Sequence, residues 1–169
     1  SRLVTVHPKY QKSSGLGLPN AVVHLNMQPL MIFDTWGGLL PDGWYQRISL
    51  ASMRSVIDQL PREVNGQKVP IIIFTKGGGL WLEDMADSGA DVIGLDWTMS
   101  IAKARTLLAA KNKPLALQGN FDPIALFAKP EQITQEAFCI LDSLGSAPPL
   151  KPGLHPLDGH IFNLGHGIS

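Results

Sequence analysis

Five short apolar runs recur along the chain, at residues 30–33, 70–74, 91–95, 114–117 and 160–163, each too short for a helix and several rich in β-branched residues. These positions predict strands. Between them the apolar residues return at helical spacing: Trp44, Ile48, Ala51 and Ser55 mark one predicted helix face, and Ile133, Ala137, Ile140, Leu141 and Leu144 another. Shorter helices are predicted near 81–86 and 101–109. Glycine stands where a left-handed cap is cheapest after two of them, in Asp87-Ser88-Gly89 and Leu144-Gly145. Strands alternating with helices define an α/β chain built on a parallel sheet.

Two stretches break that rhythm. Residues 1–29, with the glycine- and proline-bearing segment at 13–19, are expected to be an irregular N-terminal segment, and residues 30–169 to carry the folded unit. Residues 146–156 hold four prolines, which exclude regular structure and predict an exposed loop. Five strand units are fewer than a closed (β/α)8 barrel requires, so the pattern is that of a barrel portion. An open doubly wound sheet accommodates five strands, but the GxGxxG turn that marks its dinucleotide site is absent.

Charge and cysteine content narrow the function classes. Fourteen Lys+Arg balance 14 Asp+Glu, so no overall field draws the chain to nucleic acid or an anionic membrane. The single cysteine, Cys139, permits no internal disulfide and fits a reducing, cytoplasmic setting. No apolar run approaches the length that spans a bilayer. The five histidines show no helical i, i+4 pair and no neighbouring thiolates, so no metal site is expected.

Enzymes on parallel sheets place their chemistry just beyond the carboxyl ends of the strands. There the chain reads Asp34-Thr35-Trp36-Gly37-Gly38, Thr75-Lys76-Gly77-Gly78-Gly79, Asp96-Trp97-Thr98, Gln118-Gly119-Asn120-Phe121-Asp122-Pro123 and Asn163-Leu164-Gly165-His166-Gly167. Polar side chains beside glycine and aromatics suit a large, partly apolar ligand with polar edges. Each cluster also has a plainer reading. Lys76 before three glycines is either an anion site at a helix start or a flexible turn, and the Walker spacing is missing. Asp34 and Asp96 are expected to accept hydrogen bonds from the following loops before they are expected to act as acid or base. His166 between two glycines stands equally for ligand contact and for packing. The tryptophans are expected in strand–helix packing, with Trp36, inside a glycine turn, as the exception.

Taken in order, Met31-Ile32-Phe33-Asp34-Thr35-Trp36-Gly37-Gly38, Ile73-Phe74-Thr75-Lys76-Gly77-Gly78, Gly94-Leu95-Asp96-Trp97-Thr98, Leu117-Gln118-Gly119-Asn120-Phe121-Asp122-Pro123 and Asn163-Leu164-Gly165-His166-Gly167 resemble the bacterial uroporphyrinogen decarboxylases over residues 31–168. The resemblance implies a TIM-barrel homodimer, used without metal or other cofactor, that decarboxylates the four acetate side chains of uroporphyrinogen III to give coproporphyrinogen III. It implies substrate contact by Thr35 and His166. The family's arginine-bearing segment, its pyrrole-binding aspartate and its tyrosine have no matching positions here, so no catalytic residue is assigned. A chain holding only this part of the barrel is expected to be unstable or self-associating, and inactive, when alone. The rival readings are a non-catalytic tetrapyrrole-binding or dimerisation remnant and a corrinoid or thiol methyltransferase of the same superfamily, the latter disfavoured by the lone Cys139.

Overall fold

The β-branched run Ile71-Ile72-Ile73 and its counterparts form strands because their branched side chains pack on both faces of a pleated surface. The computed structural model describes residues 4–6, 29–64 and 66–167. Its principal sheet runs β1 (Val4–Val6), β2 (Leu30–Asp34), β5 (Ile71–Thr75), β6 (Val92–Gly94), β7 (Ala116–Gln118) and β8 (His160–Ile161). All pairings are parallel and the spatial order follows the chain order. A doubly wound sheet reverses strand order at its switch point. This sheet has no reversal among the described residues, which makes it an arc of a barrel. The five strands from residue 30 onward match expectation within two residues. The sixth, β1, lies inside the segment expected to be irregular, while the glycine- and proline-bearing stretch at 13–19 falls outside the described residues.

The two faces of the arc differ. On the outer face, Leu30, Ile32, Ile71, Ile73, Ile93 and Leu117 pack with side chains from every helix. These helices are α1 (Ala51–Ile57, entered through a π-helical turn at Tyr45–Leu50), α2 (Leu82–Ala86), α3 (Ile101–Ala110) and α4 (Pro130–Gly145). On the inner face Met31, Ile72, Phe74 and Val92 form a second cluster with Phe33 and Ala116 and no helical member. Helices on one face only is the barrel arrangement.

Several helix details depart from the sequence pattern. Trp44, Ile48, Ala51 and Ser55 are exposed, and the buried stripe is instead Tyr45, Ser49, Leu50, Met53 and Ile57. The buried stripe keeps a spacing of four through Tyr45, Ser49, Met53 and Ile57 but begins one residue later than expected, because Trp44 itself faces solvent. The α4 face is as expected, with Leu144 buried and Ile133, Ala137, Ile140 and Leu141 half-buried. Gly89 has φ +88° after α2, the expected left-handed stop. Gly145 does not act this way: it is the last residue of α4, and Ser146 follows at φ −92°. Residues 146–156 form neither helix nor strand and are mostly exposed, apart from buried Ala147.

A two-stranded hairpin, β3 (Glu63–Val64) with β4 (Gln67–Lys68), has no counterpart in the sequence pattern. Asp91 fastens it to the sheet. Its carboxylate pairs with Arg62 at 2.9 Å and with Lys68, and accepts the Ile71 N–H at 2.9 Å. Burial alone would raise its pKa, but the Lys68 bond, the Ile71 amide and the two cations together hold it below the ordinary value.

Candidate active site

Register decides which side chains meet at the carboxyl end of the arc. On the inner face one row runs Met31, Ile72, Val92, Ala116, and the next row, two residues on, runs Phe33, Phe74, Gly94, Gln118. The first row is an apolar floor. The second opens into a cleft of about 380 Å³ lined by Met31, Phe33, Phe74, Gln118, Asn163 and His166, together with neighbouring backbone. Phe33 and Phe74 are tilted at 60° with centroids 5.7 Å apart, and the His166 ring lies 6.0 Å from Phe74. Gly94 leaves the row open beside Phe74: a Cβ there would lie 3.1 Å from the phenylalanine's own Cβ.

The turn that carries His166 is positioned by backbone pairing. Phe121 donates its N–H to Asn163 O at 3.0 Å, and Gly165 donates to Phe121 O at 2.8 Å. Gly165 sits so close to the Asp96–Trp97 peptide that a Cβ would approach Trp97 N to 2.8 Å, so only glycine allows this approach.

The two aspartates take the plainer of their readings. Asp34 accepts the N–H groups of Trp36 and Gly37 at 3.0 and 2.7 Å and the Ser49 hydroxyl. Asp96, buried, accepts the Gly77 N–H, and its other oxygen takes the N–H and hydroxyl of Thr98 at 2.9 and 2.5 Å. Both organise loops. The Gly77 amide is thereby engaged within the protein, and Lys76 lies exposed with its ammonium 5.6 Å from the Trp97 ring, which disfavours an anion site there. Asn120 belongs to the same scaffold, donating to the carbonyls of Asp96, at 2.8 Å, and Met99.

Of the two residues expected to touch substrate, His166 lines the cleft. Thr35 is half-buried one residue past β2 and is not part of the cleft wall, although Phe33, two residues earlier, is. Trp81 packs as expected, stacked on Tyr45 at 4.3 Å, and Trp36, the expected exception, is exposed; Trp44, expected in packing, is exposed as well. The buried Tyr45 hydroxyl meets Thr75 Oγ1 at 3.0 Å, and burial raises its pKa to about 12.

Three polar residues escaped a specific role in the sequence reading. Gln118 and Asn163 each carry a buried side-chain oxygen with no hydrogen-bond partner among the described residues. Gln118 alternates with outward-facing Leu117, a phase that would have placed it inside. Arg105, only 1% exposed on α3, donates to the carbonyls of Pro156, Asp158 and Gly159 at 3.2–3.5 Å. Burial depresses its pKa. It fixes the proline-rich loop that feeds β8, where His160 meets Gly119 O at 2.8 Å. Burial, outweighing that bond and joined by the Arg105 charge, lowers the His160 pKa.

A parallel barrel arc with helices on one face defines the chain as part of a TIM-barrel protein, with a candidate cleft lined by aromatic, amide and imidazole groups at its carboxyl end. The sequence profile of uroporphyrinogen decarboxylase (URO-D) matches residues 19–169, and the chain belongs to this family. The uroporphyrinogen decarboxylase of Paraburkholderia phytofirmans is 52% identical over 150 residues, 89% of this chain and 37% of that protein. That of Burkholderia thailandensis is 54% identical over 150 residues, covering 89% and 38%. The chain thus spans less than two-fifths of the length of these relatives. Among the described residues no three His, Cys, Asp or Glu side chains cluster as a metal ion would require, and no helix is long and apolar enough to cross a membrane.

Proposed function

We propose that this chain serves the decarboxylation of the four acetate side chains of uroporphyrinogen III, giving coproporphyrinogen III, and that its inner face supplies the tetrapyrrole-binding wall. The observation that carries the reading is one cleft joining the Phe33 and Phe74 rings to His166 at the carboxyl end of parallel strands. It is supported by relatives of that name at about half identity. Aromatic side chains set at an angle suit the separate pyrrole rings of a non-planar porphyrinogen, and imidazole can donate to a carboxylate or carbonyl. At each acetate the C–CO₂ bond breaks, CO₂ leaves, and a proton takes its place to give a methyl group. A pyrrole protonated at carbon accepts the electron pair of the departing carboxylate, so the protein's task is to bind, orient and stabilise the cation. Thr35 and His166 are the proposed substrate contacts.

A homodimer is supported by apolar side chains exposed at this end of the arc: Trp36 and Leu39 at 72% and 77%, and Leu80 at 84% on the adjoining loop. The free, exposed thiol of Cys139 supports a cytoplasmic setting.

The test is anaerobic calorimetry with uroporphyrinogen III, paired with CO₂ release under reducing conditions, for the chain and for His166→Ala. Binding that the substitution weakens about tenfold, with any CO₂ release falling in parallel, is the expected result. Absence of binding, or binding and turnover indifferent to His166, would overturn the reading.

A further inference from the structure

The parallel ladder between β7 and β8 has one rung made by a side chain. Leu117 donates its N–H to Gly159 O, Gly119 to Ile161 O and Phe121 to Asn163 O, at 2.9, 2.9 and 3.0 Å. An evenly spaced parallel ladder would also bring the Asn163 N–H to Gly119 O. Among the described residues that carbonyl is met instead by His160 Nε2, at 2.8 Å. A carbonyl only accepts, so Nε2 carries the proton and the imidazole donates. The rung stands where regular pairing gives way to the strand-end clusters. β7 ends at Gln118 and β8 at Ile161, and pairing resumes as an isolated bridge between Phe121 and Leu164.

The contacts that place His166 all lie just beyond this rung. Phe121 is tied to Asn163 and Gly165 by backbone bonds, and Asn120 is held from the other side by the carbonyls of Asp96 and Met99. His160 pairs with outward-facing Leu117 and so sits on the outer side of the sheet, away from the cleft. It is half-buried and edge-on to Phe162 at 6.1 Å, and Phe162 in turn lies 6.1 Å from buried Phe121. Two side chains following β8's entry therefore grip residues 119–121 from behind. Every contact in this linkage is made within the arc from β5 to β8. We propose that His160 is a positioning residue for the cleft: its bond to Gly119 O sets the spacing of the two strand ends and so fixes where the His166 ring stands against Phe74. The consequence for substrate binding rests on the tetrapyrrole reading above. Imidazole suits the task because it carries its donor on few side-chain torsions, so little freedom is lost when the bond forms.

The experiment uses the 169-residue chain with His160→Leu, which removes the donor, and His160→Gln, whose amide nitrogen places a donor at similar reach. NMR of isotope-labelled histidine, assigned by the signal lost in His166→Ala, reads the His166 ring without ligand. The Phe74 ring, 6.0 Å away, makes those signals sensitive to its position. Anaerobic calorimetry with uroporphyrinogen III reads affinity. In His160→Leu the His166 signals should move toward those of an exposed imidazole and binding should weaken about fivefold, the equivalent of one neutral hydrogen bond, while His160→Gln restores both. Unmoved His166 signals in His160→Leu, even with a lower Tm, would leave His160 a purely structural role and overturn the proposal. His166 displaced as far in His160→Gln as in His160→Leu would overturn it too, since the donor would then not be what matters. The unmodified chain gives a check that needs no variant to fold: the His160 proton is expected on Nε2 and slow to exchange, and a proton on Nδ1 alone would sink the proposal. Displaced His166 signals with unchanged affinity would support His160 as a positioning residue and count against His166 as a substrate contact.

Discussion

Ile73 and Phe74 are neighbours on β5, yet they belong to different economies of contact. Ile73 points outward into the larger apolar cluster, which is shared with the helices. Phe74 points inward to a smaller cluster whose upper row borders an open cleft with unmatched amide oxygens. The outer face carries most of the buried apolar side chains, where the strands meet the helices. Buried polar atoms without a partner among the described residues occur on both sides, Arg54 Nε and Arg105 Nε on the helices and Gln118 Oε1 and Asn163 Oδ1 at the cleft, so it is the open cleft that sets the inner face apart.

The sharpest way to break this comparison is to damage the outer face. Ile73→Ala should lower unfolding free energy by about 3 kcal/mol, read by urea denaturation, since a fully buried side chain is replaced by a cavity. Arg105→Met crosses the boundary: it removes the donor to three loop carbonyls from an outer helix, while the loop leads to the inner-face strand. A stability loss of about 2 kcal/mol is expected, together with weaker tetrapyrrole binding, because β8 leads directly into Asn163 and His166. If affinity is unchanged, the loop does not position the cleft. Tyr45→Phe removes a single buried hydroxyl bond to Thr75 and should cost about 1 kcal/mol by the same assay, with no effect on binding.

Acidification gives the smallest and most specific effect. The folded-state pKa of His160 is lowered from 6.5, so below that value the unfolded chain takes up protons more readily and stability falls as pH decreases. The slope ends once the pH is below the folded value. His160→Gln should remove this part of the pH dependence while leaving the later loss from Asp91. That carboxylate contributes above its ordinary value of 3.8, and the contribution disappears as pH falls through its lower folded value.

The strands and the strand-end clusters were legible in the sequence because parallel strands buried on both faces read as unbroken apolar runs, Ile71-Ile72-Ile73 above all. Family membership was legible too, from five motifs in order. The face of α1 was not, since stripes begun at Trp44 and at Tyr45 fit helical spacing alike and only packing selects the second. Nor was Arg105: an arginine between Ala104 and Leu108 reads as a solvated side chain until the loop carbonyls it serves are folded against it. The loop-organising roles of Asp34 and Asp96 were the favoured reading, but the amides they hold, at Gly37 and Gly77, are fixed by loop geometry that spacing does not encode.

The most direct test of the division between the faces compares two adjacent substitutions, Ile73→Val and Phe74→Leu, by anaerobic calorimetry with uroporphyrinogen III and by urea denaturation. The account predicts that Ile73→Val costs about 1 kcal/mol of stability and leaves affinity within about twofold. Phe74→Leu should weaken binding about tenfold, through loss of an aromatic wall. Equal losses of affinity in the two variants, or a loss confined to Ile73→Val, would contradict the claim that the inner face is the one that meets the ligand.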